Sequence, residues 1–349
     1  MEMQSMPRGF EFTIQQGEIA SFAADVVALK HAQAFHGADR AVALALADGG
    51  TELSSISPSV GDYRYLPSLG RIKAGHVLFV GVPHLSLFGY QRIREFSTSV
   101  LRILATEAPD TVHLAMTIHG PGYGLDEVEA ALAQIAGCVE ALLKGDLPPR
   151  LERICIVEIS EGRVERLRAA LEQKLDAVSY ASRVPTRWAY RLHMPAQHDT
   201  FAHKLPHNAV VETAGKGSEA KPRAFVAMPF AKDMDDVFYY GIQGPLHSAG
   251  FLCERIDETA FVGDIVDQIK KRIETASVVI AEVSDANPNV YLELGYAWGR
   301  RRPTILLVQN ADDLRFDVQG QRCLTYERIK DLEESLSREL QQLKEECLI

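Results

Sequence analysis

Apolar and polar residues in the first half of the chain follow two periods in turn, one typical of buried strands and one typical of amphipathic helices. The predicted strands cover residues 10–14, 26–29, 76–81, 112–116 and 153–157. The predicted helices cover residues 39–47, 91–105, 125–143 and 163–174. Strands that alternate with helices predict an α/β fold whose sheet is mainly parallel and flanked by helices.

The same alternation restarts near Lys221. The predicted strands of this second part cover residues 224–228, 252–256, 278–281 and 304–308. Its predicted helices cover residues 237–249, 264–276 and 289–300, and a final helix follows Tyr326. Because ligands of such doubly covered parallel sheets bind at the carboxyl ends of the strands, we expect a ligand site at that edge.

Between the two periodic parts lies a stretch of prolines, histidines and polar residues in which no period persists. We therefore predict an N-terminal domain of residues 1–182, a linker of residues 183–220 and a C-terminal domain of residues 221–349. A length of 349 residues suits two domains that each bury a core. Four of the eleven histidines fall in this stretch without cysteine partners or a recognised ligand spacing, so no metal site is expected. These are His193, His198, His203 and His207.

The composition of the chain indicates which classes of partner and which cellular compartment to expect. Hydrophobic residues make up 46% and charged residues 24% of the chain, as in ordinary globular proteins. The sequence shows neither a signal peptide nor an apolar run of membrane-spanning length, so we expect a cytoplasmic protein that does not bind membranes. A net charge of -10 and the absence of a basic stripe disfavour nucleic-acid binding. Five widely spaced cysteines predict no disulfide framework.

Three polar motifs follow predicted strands of the C-terminal part. Met228-Pro229-Phe230 follows the first strand, Arg255-Ile256-Asp257 ends the second, and a longer segment from Ser284 to Glu293 follows the third. Since the carboxyl ends of parallel strands meet at one edge, these motifs are expected to line one crevice. In the third motif Asn287 suits a helix cap and Pro288 suits the first helical position.

Glu293 lies in the second turn of the predicted helix 289–300, close to its positive end. The apolar face of this helix is formed by Val290, Leu294 and Trp298, and Glu293 lies at the edge of that face. Its carboxylate is therefore either an exposed helix side chain or a group that points into the crevice and acts on a sugar carbon. Trp298 belongs to the apolar face and is expected to be a core residue.

The segments Phe225-Val226-Ala227-Met228-Pro229-Phe230 and Asn287-Pro288-Asn289-Val290-Tyr291-Leu292-Glu293-Leu294-Gly295-Tyr296-Ala297 resemble the TIR-like and nucleoside 2-deoxyribosyltransferase-like families. The resemblance covers about the last third of the chain. It implies a flavodoxin/TIR-like fold in which Glu293 works on the N-glycosidic bond of NAD or of a nucleoside. A carboxylate can trap or electrostatically stabilise the ribosyl cation formed when that bond breaks.

Further site residues are assigned from this resemblance and from their places at strand ends. Glu282 and Asp285 are the candidates for an acid that assists Glu293, and Glu282 stands where the family pattern often has aspartate. Arg255 is a candidate phosphate ligand, and Asp257 or Asp264 a ribose ligand. Arg255 and Asp257 alternatively form a surface pair, and Asp264 a helix cap. The expected substrate-binding residues are Met228, Pro229, Phe230, Arg255, Asp257, Asp264 and Asn289.

Three segments of the N-terminal part resemble the ligand loops of macro domains: Gln15-Gln16-Gly17-Glu18-Ile19, the helix start from Gly37 to Leu46, and His119-Gly120-Pro121-Gly122-Tyr123-Gly124. The glycines of the last segment allow close approach of backbone N–H groups to a diphosphate. Lys30-His31-Ala32-Gln33 replaces the asparagine-rich segment of hydrolytic macro domains, so a reader of ADP-ribose-like molecules is implied. The expected signal-binding residues are Glu18, Ile19, Gly120, Gly122, Tyr123 and Gly124.

Together the two resemblances imply a two-part effector of antiphage defence. The N-terminal domain would bind an ADP-ribose-like nucleotide signal, and the C-terminal domain would act as an NAD glycohydrolase, an NAD+ nucleosidase with NAD as substrate and no cofactor. TIR-like enzymes often gain activity by self-association, so a homo-oligomer is expected. The alternatives are a nucleoside or nucleotide N-glycosidase or deoxyribosyltransferase and, third, a non-catalytic nucleotide-binding adaptor.

Overall fold

A computed structural model describes residues 9–48, 50, 52–121, 124–194, 218, 221–229, 231, 234–255, 265–315, 318, 320–321, 323–346 and 348–349. The chain divides into two compact units, of which the first comprises Met1–Gly120 and Glu127–Gly217 and the second comprises Pro121–Asp126 and Ser218–Ile349. Several residues singled out in the sequence lie outside the described residues: Gly122, Tyr123, His198, His203, His207, Phe230, Asp257 and Asp264.

The first unit is built on one mixed sheet, which has eight strands within the described ranges. They are β1 (Gly9–Gln16), β2 (Val26–His31), β3 (Tyr63–Pro67), β4 (His76–Gly81), β5 (His113–Thr117), β6 (Arg153–Glu158), β7 (Ala181–Arg183) and β8 (Tyr190–His193). Their order is β3-β4-β2-β5-β6-β1-β8-β7. The five central strands pair in parallel, whereas β3, β7 and β8 pair antiparallel with their neighbours.

Four helices flank this sheet in the described part of the first unit: α1 (Gly37–Ala47), α2 (Tyr90–Glu107), α3 (Glu127–Lys144) and α4 (Glu161–Leu175). Each lies where the apolar period predicts a helix. Helix α1 packs its apolar side on β2 and β4, where Val42 and Leu46 join a core that includes Leu29 and Phe79. Burial of this apolar stripe, more than helix propensity, stabilises such a surface helix.

The first residues of the predicted linker, residues 183–193, are ordered in the structure. Strands β7 and β8 form a hairpin, and β8 extends the first sheet by pairing with β1. In β8, Tyr190 and Leu192 are buried and Arg191 and His193 are half-buried. This is the alternation of buried and exposed side chains expected of a strand, but four residues are too few for it to be recognised in the sequence. The predicted domain boundary at residue 182 therefore falls inside a hairpin of the first unit.

The second unit contains a fully parallel sheet of five strands in its described part. They are β9 (Arg223–Ala227), β10 (Leu252–Glu254), β11 (Val278–Glu282), β12 (Thr304–Val308) and β13 (Cys323–Thr325). A π-helical segment (Val237–Gln243) continues into α5 (Gly244–Ser248), and α6 (Ile265–Thr275), α7 (Pro288–Gly299) and α8 (Ile329–Glu345) follow. The order β10-β9-β11-β12-β13 is the flavodoxin-like one. The predicted fold class, α/β with two mainly parallel sheets flanked by helices, is confirmed.

The two faces of the second sheet carry separate cores. Residues 278 and 280 of β11 pack with the π-helical segment and α8, whereas residues 279, 281 and 283 pack with α6 and α7. Successive side chains of a strand point to opposite faces, so this division fixes which strand residues face which helix. None of the helices in the described ranges combines the length and apolar character that a bilayer crossing needs.

Candidate functional site

The carboxyl edge of the second sheet has a topological switch point between β9 and β11. The chain leaves β9 through the π-helical segment on one face and reaches β10, then returns through α6 on the other face to β11. At such a point the connections diverge and leave a crevice above the strand ends. Met228 and Pro229 follow β9 directly, and Ser284 follows β11 by two residues. The structure therefore brings these two predicted motifs to the same edge.

Helix α7 begins at this edge and holds Glu293. Asn287 caps the helix, because its side-chain oxygen accepts a hydrogen bond from the backbone N–H of Asn289 at 2.9 Å, and Pro288 occupies the first turn as predicted. Val290 and Leu294 are buried beneath the helix. Glu293 is half-buried in the second turn, between the buried Leu294 and the exposed Leu292. The carboxylate is thus at the boundary between core and solvent near the positive helix end.

The loop that connects β11 to α7 contains a strained residue. Ala286 has a φ angle of 48°, in the left-handed region that costs a residue with a Cβ atom about 1–2 kcal/mol. Strain of this kind persists only where the surroundings enforce it, and it concentrates at functional sites. Asp285, the neighbouring residue and one of the two candidate assisting acids, is exposed.

Glu282, the other candidate assisting acid, is buried completely, with 0% of its surface exposed. Its Oε1 atom accepts hydrogen bonds from the Ser284 hydroxyl and from the Tyr326 hydroxyl at 3.2 Å, while its Oε2 atom has no partner among the described residues. Burial raises the pKa of Glu282, and the hydrogen bonds from Ser284 and Tyr326 oppose that rise. By strand alternation its side chain shares the face of Val278 and Ile280, which α8 covers. Glu293 belongs to α7, on the opposite face.

Arg255 lies just beyond β10 and is held by aromatic and polar contacts. Its guanidinium carbon lies 4.2 Å from the ring centroid of Phe238, and its two terminal nitrogens lie 3.8 Å from the Met228 sulfur and 3.3 Å from a carboxylate oxygen of Asp235. Only 12% of its side chain is exposed. The structure therefore places a fixed guanidinium beside Met228, the first residue of the motif that follows β9. Planar N–H groups held in this way suit recognition of phosphate oxygens.

In the first unit, the predicted signal-binding residues are distributed over different environments. Glu18 is exposed and accepts a hydrogen bond from Ser21 at 3.3 Å, and Ile19 is buried in the core. Gly120 has a φ angle of 107° and Gly124 one of 78°, conformations that favour glycine. Gly124 groups with the second unit, where a Cβ atom at this position would overlap the carboxylate of Glu254.

A buried polar cluster lies at the carboxyl ends of β2 and β5, and its residues are not among the expected signal-binding residues although they belong to the segments that resemble macro domains. Lys30 forms an ion pair with Asp39 of α1, and both side chains are buried. His119 is 1% exposed, and neither of its ring nitrogens has a partner within the described residues. Burial and, secondarily, Lys30 hold the pKa of His119 well below its usual value, so its imidazole is neutral. The sequence signal for this cluster is Lys30 near the end of the otherwise apolar strand β2, together with His119 two residues after β5.

No protein-family model matches the chain, and no curated protein matches it. The chain is similar to solved macrodomain structures over about half of its length. The Oceanobacillus iheyensis macrodomain with MES bound is 12% identical, covers 47% of this chain and 92% of its own, and superposes with a TM-score of 0.37. The Trypanosoma brucei macrodomain in complex with ADP-ribose is 15% identical, and the match covers 46% of this chain and 68% of that macrodomain chain, with a TM-score of 0.38. Similarity at this level assigns no role to any residue.

Proposed function

We propose that the second unit is an N-glycosidic bond hydrolase that uses Glu293 to release nicotinamide from NAD. The observation that carries the proposal is the position of Glu293: a half-buried carboxylate in the second turn of α7, whose capped N-terminus lies at the switch point of a flavodoxin-like sheet. Ligands of this fold bind at that point. The motifs that resemble TIR-like and deoxyribosyltransferase-like proteins supply the chemistry expected of the carboxylate.

Cleavage of NAD requires little acid catalysis, which suits this site. When the bond between the ribose C1′ and the nicotinamide ring nitrogen breaks, the electron pair goes to a nitrogen that was positively charged, so nicotinamide leaves as a neutral molecule without a proton donor. The ribosyl cation that remains is stabilised or trapped by the Glu293 carboxylate. Water then adds to C1′ and releases a proton, giving ADP-ribose.

A nucleoside substrate places a greater demand on the site, because its base leaves more readily when protonated. Of the two candidate acids, Glu282 is sealed from solvent and Asp285 is exposed. A proton donor tuned by partial burial beside Glu293 is therefore not evident among the described residues. This favours NAD over the alternatives, a nucleoside or nucleotide N-glycosidase or deoxyribosyltransferase. In our proposal Arg255 binds the pyrophosphate, and Asp285 accepts the proton of the attacking water.

For the first unit we propose binding of an ADP-ribose-like nucleotide that switches on the hydrolase, with self-association of the protein. The support is the set of loop motifs and the left-handed backbone at Gly120. A ligand shifts an equilibrium only through its different affinities for two states. The signal must therefore bind the active assembly more tightly than the inactive protein. Such an effector would remove NAD from an infected cell, as in antiphage defence.

The test of the hydrolase compares wild-type protein, Glu293→Gln and a control, Glu333→Gln, which changes an exposed carboxylate of α8 in the same unit. Each is incubated with NAD and with a panel of nucleosides, deoxynucleosides and nucleotides, with and without ADP-ribose and its cyclic forms. Products are separated by chromatography. We expect the wild type and Glu333→Gln to release nicotinamide, and Glu293→Gln to lose activity by a factor on the order of 10²–10³ or more.

Other outcomes would redirect the assignment. If bases were released from nucleosides and no nicotinamide from NAD, the protein would instead be a nucleoside or nucleotide N-glycosidase or deoxyribosyltransferase. Equal activity in Glu293→Gln and the wild type would remove Glu293 from the chemistry. A wild type inactive under every condition, together with nucleotide binding by both units, would favour the non-catalytic adaptor. Signal binding itself is measured by calorimetry with ADP-ribose, comparing Glu18→Ala with Glu165→Ala, an exposed control in the first unit. Absence of heat in all cases would end the sensor proposal.

A further inference from the structure

The buried side chain of Glu282 belongs to a hydrogen-bond network that connects the C-terminal ends of β11, β12 and β13. Glu282 is the last residue of β11, and its Oε1 atom accepts hydrogen bonds from the backbone N–H of Ser284 at 3.3 Å, from the Ser284 hydroxyl, and from Tyr326, which follows β13. The Ser284 oxygen in turn accepts the backbone N–H of Gln309, the residue after β12, at 2.8 Å. Gln309 Nε2 lies 3.5 Å from the Tyr326 hydroxyl. Four residues therefore form one connected polar cluster.

This cluster fixes the start of the loop that leads to the proposed catalytic helix. Ser284 is held on both sides, by Glu282 and by the backbone of Gln309. Only Asp285 and the strained Ala286 separate it from the helix cap Asn287. With so few residues between the anchor and the cap, the position of Ser284 largely determines where α7 begins, and hence where Glu293 lies. A shift of about 1 Å at a reacting group is enough to cost roughly 10²-fold in rate.

The geometry also argues against contact between Glu282 and a substrate. The side chain is 0% exposed, and it lies on the face of the sheet that α8 covers, whereas α7 covers the other face. Its surroundings are the groups of its own cluster together with Asp285 and Cys323. Three donors meet one of its oxygens, an arrangement suited to holding structure in place.

We infer that Glu282, with Ser284 and Tyr326, forms a positioning cluster for Glu293 and that Glu282 itself does not contact the substrate. The inference rests on the proposed function and assigns Glu282 a role within it. Removal of a group that orients a reacting residue through hydrogen bonds typically lowers activity by about 10–100-fold, less than loss of the reacting residue itself. The hydrogen bonds to Ser284 are the means by which the cluster acts.

The first test separates positioning from chemistry through steady-state kinetics with NAD. Glu282→Gln retains a carbonyl oxygen where Oε1 accepts its hydrogen bonds, so we expect kcat within about threefold of the wild type and an unchanged pH profile. Ser284→Ala loses both side-chain bonds, so we expect kcat to fall about tenfold with KM nearly constant. Ser337→Ala, which removes an exposed serine hydroxyl of α8 that bonds only its own helix backbone, is the matched control. If Glu282→Gln were as inactive as Glu293→Gln, or lost one limb of the pH profile, Glu282 would take part in the chemistry and the inference would be overturned.

The second test does not depend on enzymatic activity. Hydrogen exchange of the amides in residues 284–290 is compared in wild type, Ser284→Ala, Tyr326→Phe and Ser337→Ala. We expect these amides to exchange about ten times faster in Ser284→Ala and Tyr326→Phe than in the wild type, because both variants remove hydrogen bonds of the cluster. The exchange rates of Ser337→Ala should equal those of the wild type. Unchanged exchange in both variants would overturn the inference. An inactive wild type combined with faster exchange would contradict the proposed function and leave the anchoring of α7 established.

Discussion

The pH dependence of stability in the second unit offers a direct measure of the environment of Glu282. The substitution is Glu282→Gln, introduced together with Trp188→Phe. The chain has two tryptophans, so removing Trp188 of the first unit leaves Trp298 as the fluorescent reporter of the second. Trp298 is part of the α7 core and donates a hydrogen bond from its indole nitrogen to Thr304 at 2.8 Å.

The sign of the effect follows from the raised pKa of Glu282, whose main cause is burial. The folded protein holds this proton to a higher pH than the unfolded chain, in which glutamate titrates near pH 4.3. The stability that the protonated carboxyl contributes is fully present below that pH and is lost as the pH rises through the raised folded pKa. Across this window the loss approaches about 1.4 kcal/mol per pH unit. Glutamine does not titrate, so this loss of stability with rising pH does not occur in Glu282→Gln.

The assay is urea unfolding followed by Trp298 fluorescence at several pH values from 4 to 9. We expect the difference in unfolding free energy between Glu282→Gln and its parent to move in favour of the variant as the pH rises from about 4.3, then to level off above the folded pKa of Glu282. Glu333→Gln, at an exposed site, serves as the control and should follow its parent throughout. Parallel curves for Glu282→Gln and its parent over the whole range would refute the reasoning, because they would show that the pKa of Glu282 is the same in the folded and the unfolded protein.

Three further predictions test the scaffold around the sites. Asn287→Ala should lower the unfolding free energy of the second unit by about 1 kcal/mol in urea titrations, because the first turn of α7 loses its cap. Arg163→Ala should destabilise the first unit by about 1.5–3 kcal/mol in the same assay followed by Trp188, because the buried Glu158 loses its ion pair, while Glu127 keeps its pair with Arg166. Cys155 should not react with a thiol reagent in the native protein at pH 8, since burial raises its pKa to about 12; mass spectrometry of modified peptides measures this.

Long periodic segments were predictable because their burial is regular. Helices α2, α3 and α7 and strands β4 and β12 lie within a few residues of the expected positions. Amphipathic spacing over several turns, or an unbroken apolar run between polar residues, leaves few alternatives for a buried segment. The alternation of strands and helices also predicted that the strands of the second sheet are parallel, so that all their C-terminal ends lie at one edge. The proximity of the motifs after β9 and β11 followed from that prediction.

Short strands with few buried positions were not predicted. Strands β3, β7, β8 and β13 were missed, and three of these lie at sheet edges, where a strand is paired on one side only. All positions of β3 except the exposed Pro67 are half-buried, so no clear alternation marks it. Their pairing depends on neighbours distant in the sequence, which local spacing does not encode. Strand β8 was consequently placed in the predicted linker of residues 183–220, and β7 spans its predicted start.

The two acids proposed for the site show why strand parity decides which side chains can meet. In β11 the even positions 278 and 280 lie beneath α8, and the odd positions 279 and 281 lie beneath α7. Glu282 continues the even series, so proximity in sequence to Glu293 does not bring the two carboxyls to one side of the sheet. Its hydrogen-bond partners are instead Ser284, two residues further along the chain, and Tyr326, which follows β13. Ser284 in turn accepts a hydrogen bond from the backbone N–H of Gln309, which follows β12. Within β11 and the loop after it, an acid that meets Glu293 directly comes from an odd strand position or from that loop, where Asp285 lies. The alternation along β11 thus places Glu282 and Glu293 on opposite faces of the sheet, which supports our proposal that Glu293 is the reacting group and Glu282 an anchor for the helix that carries it.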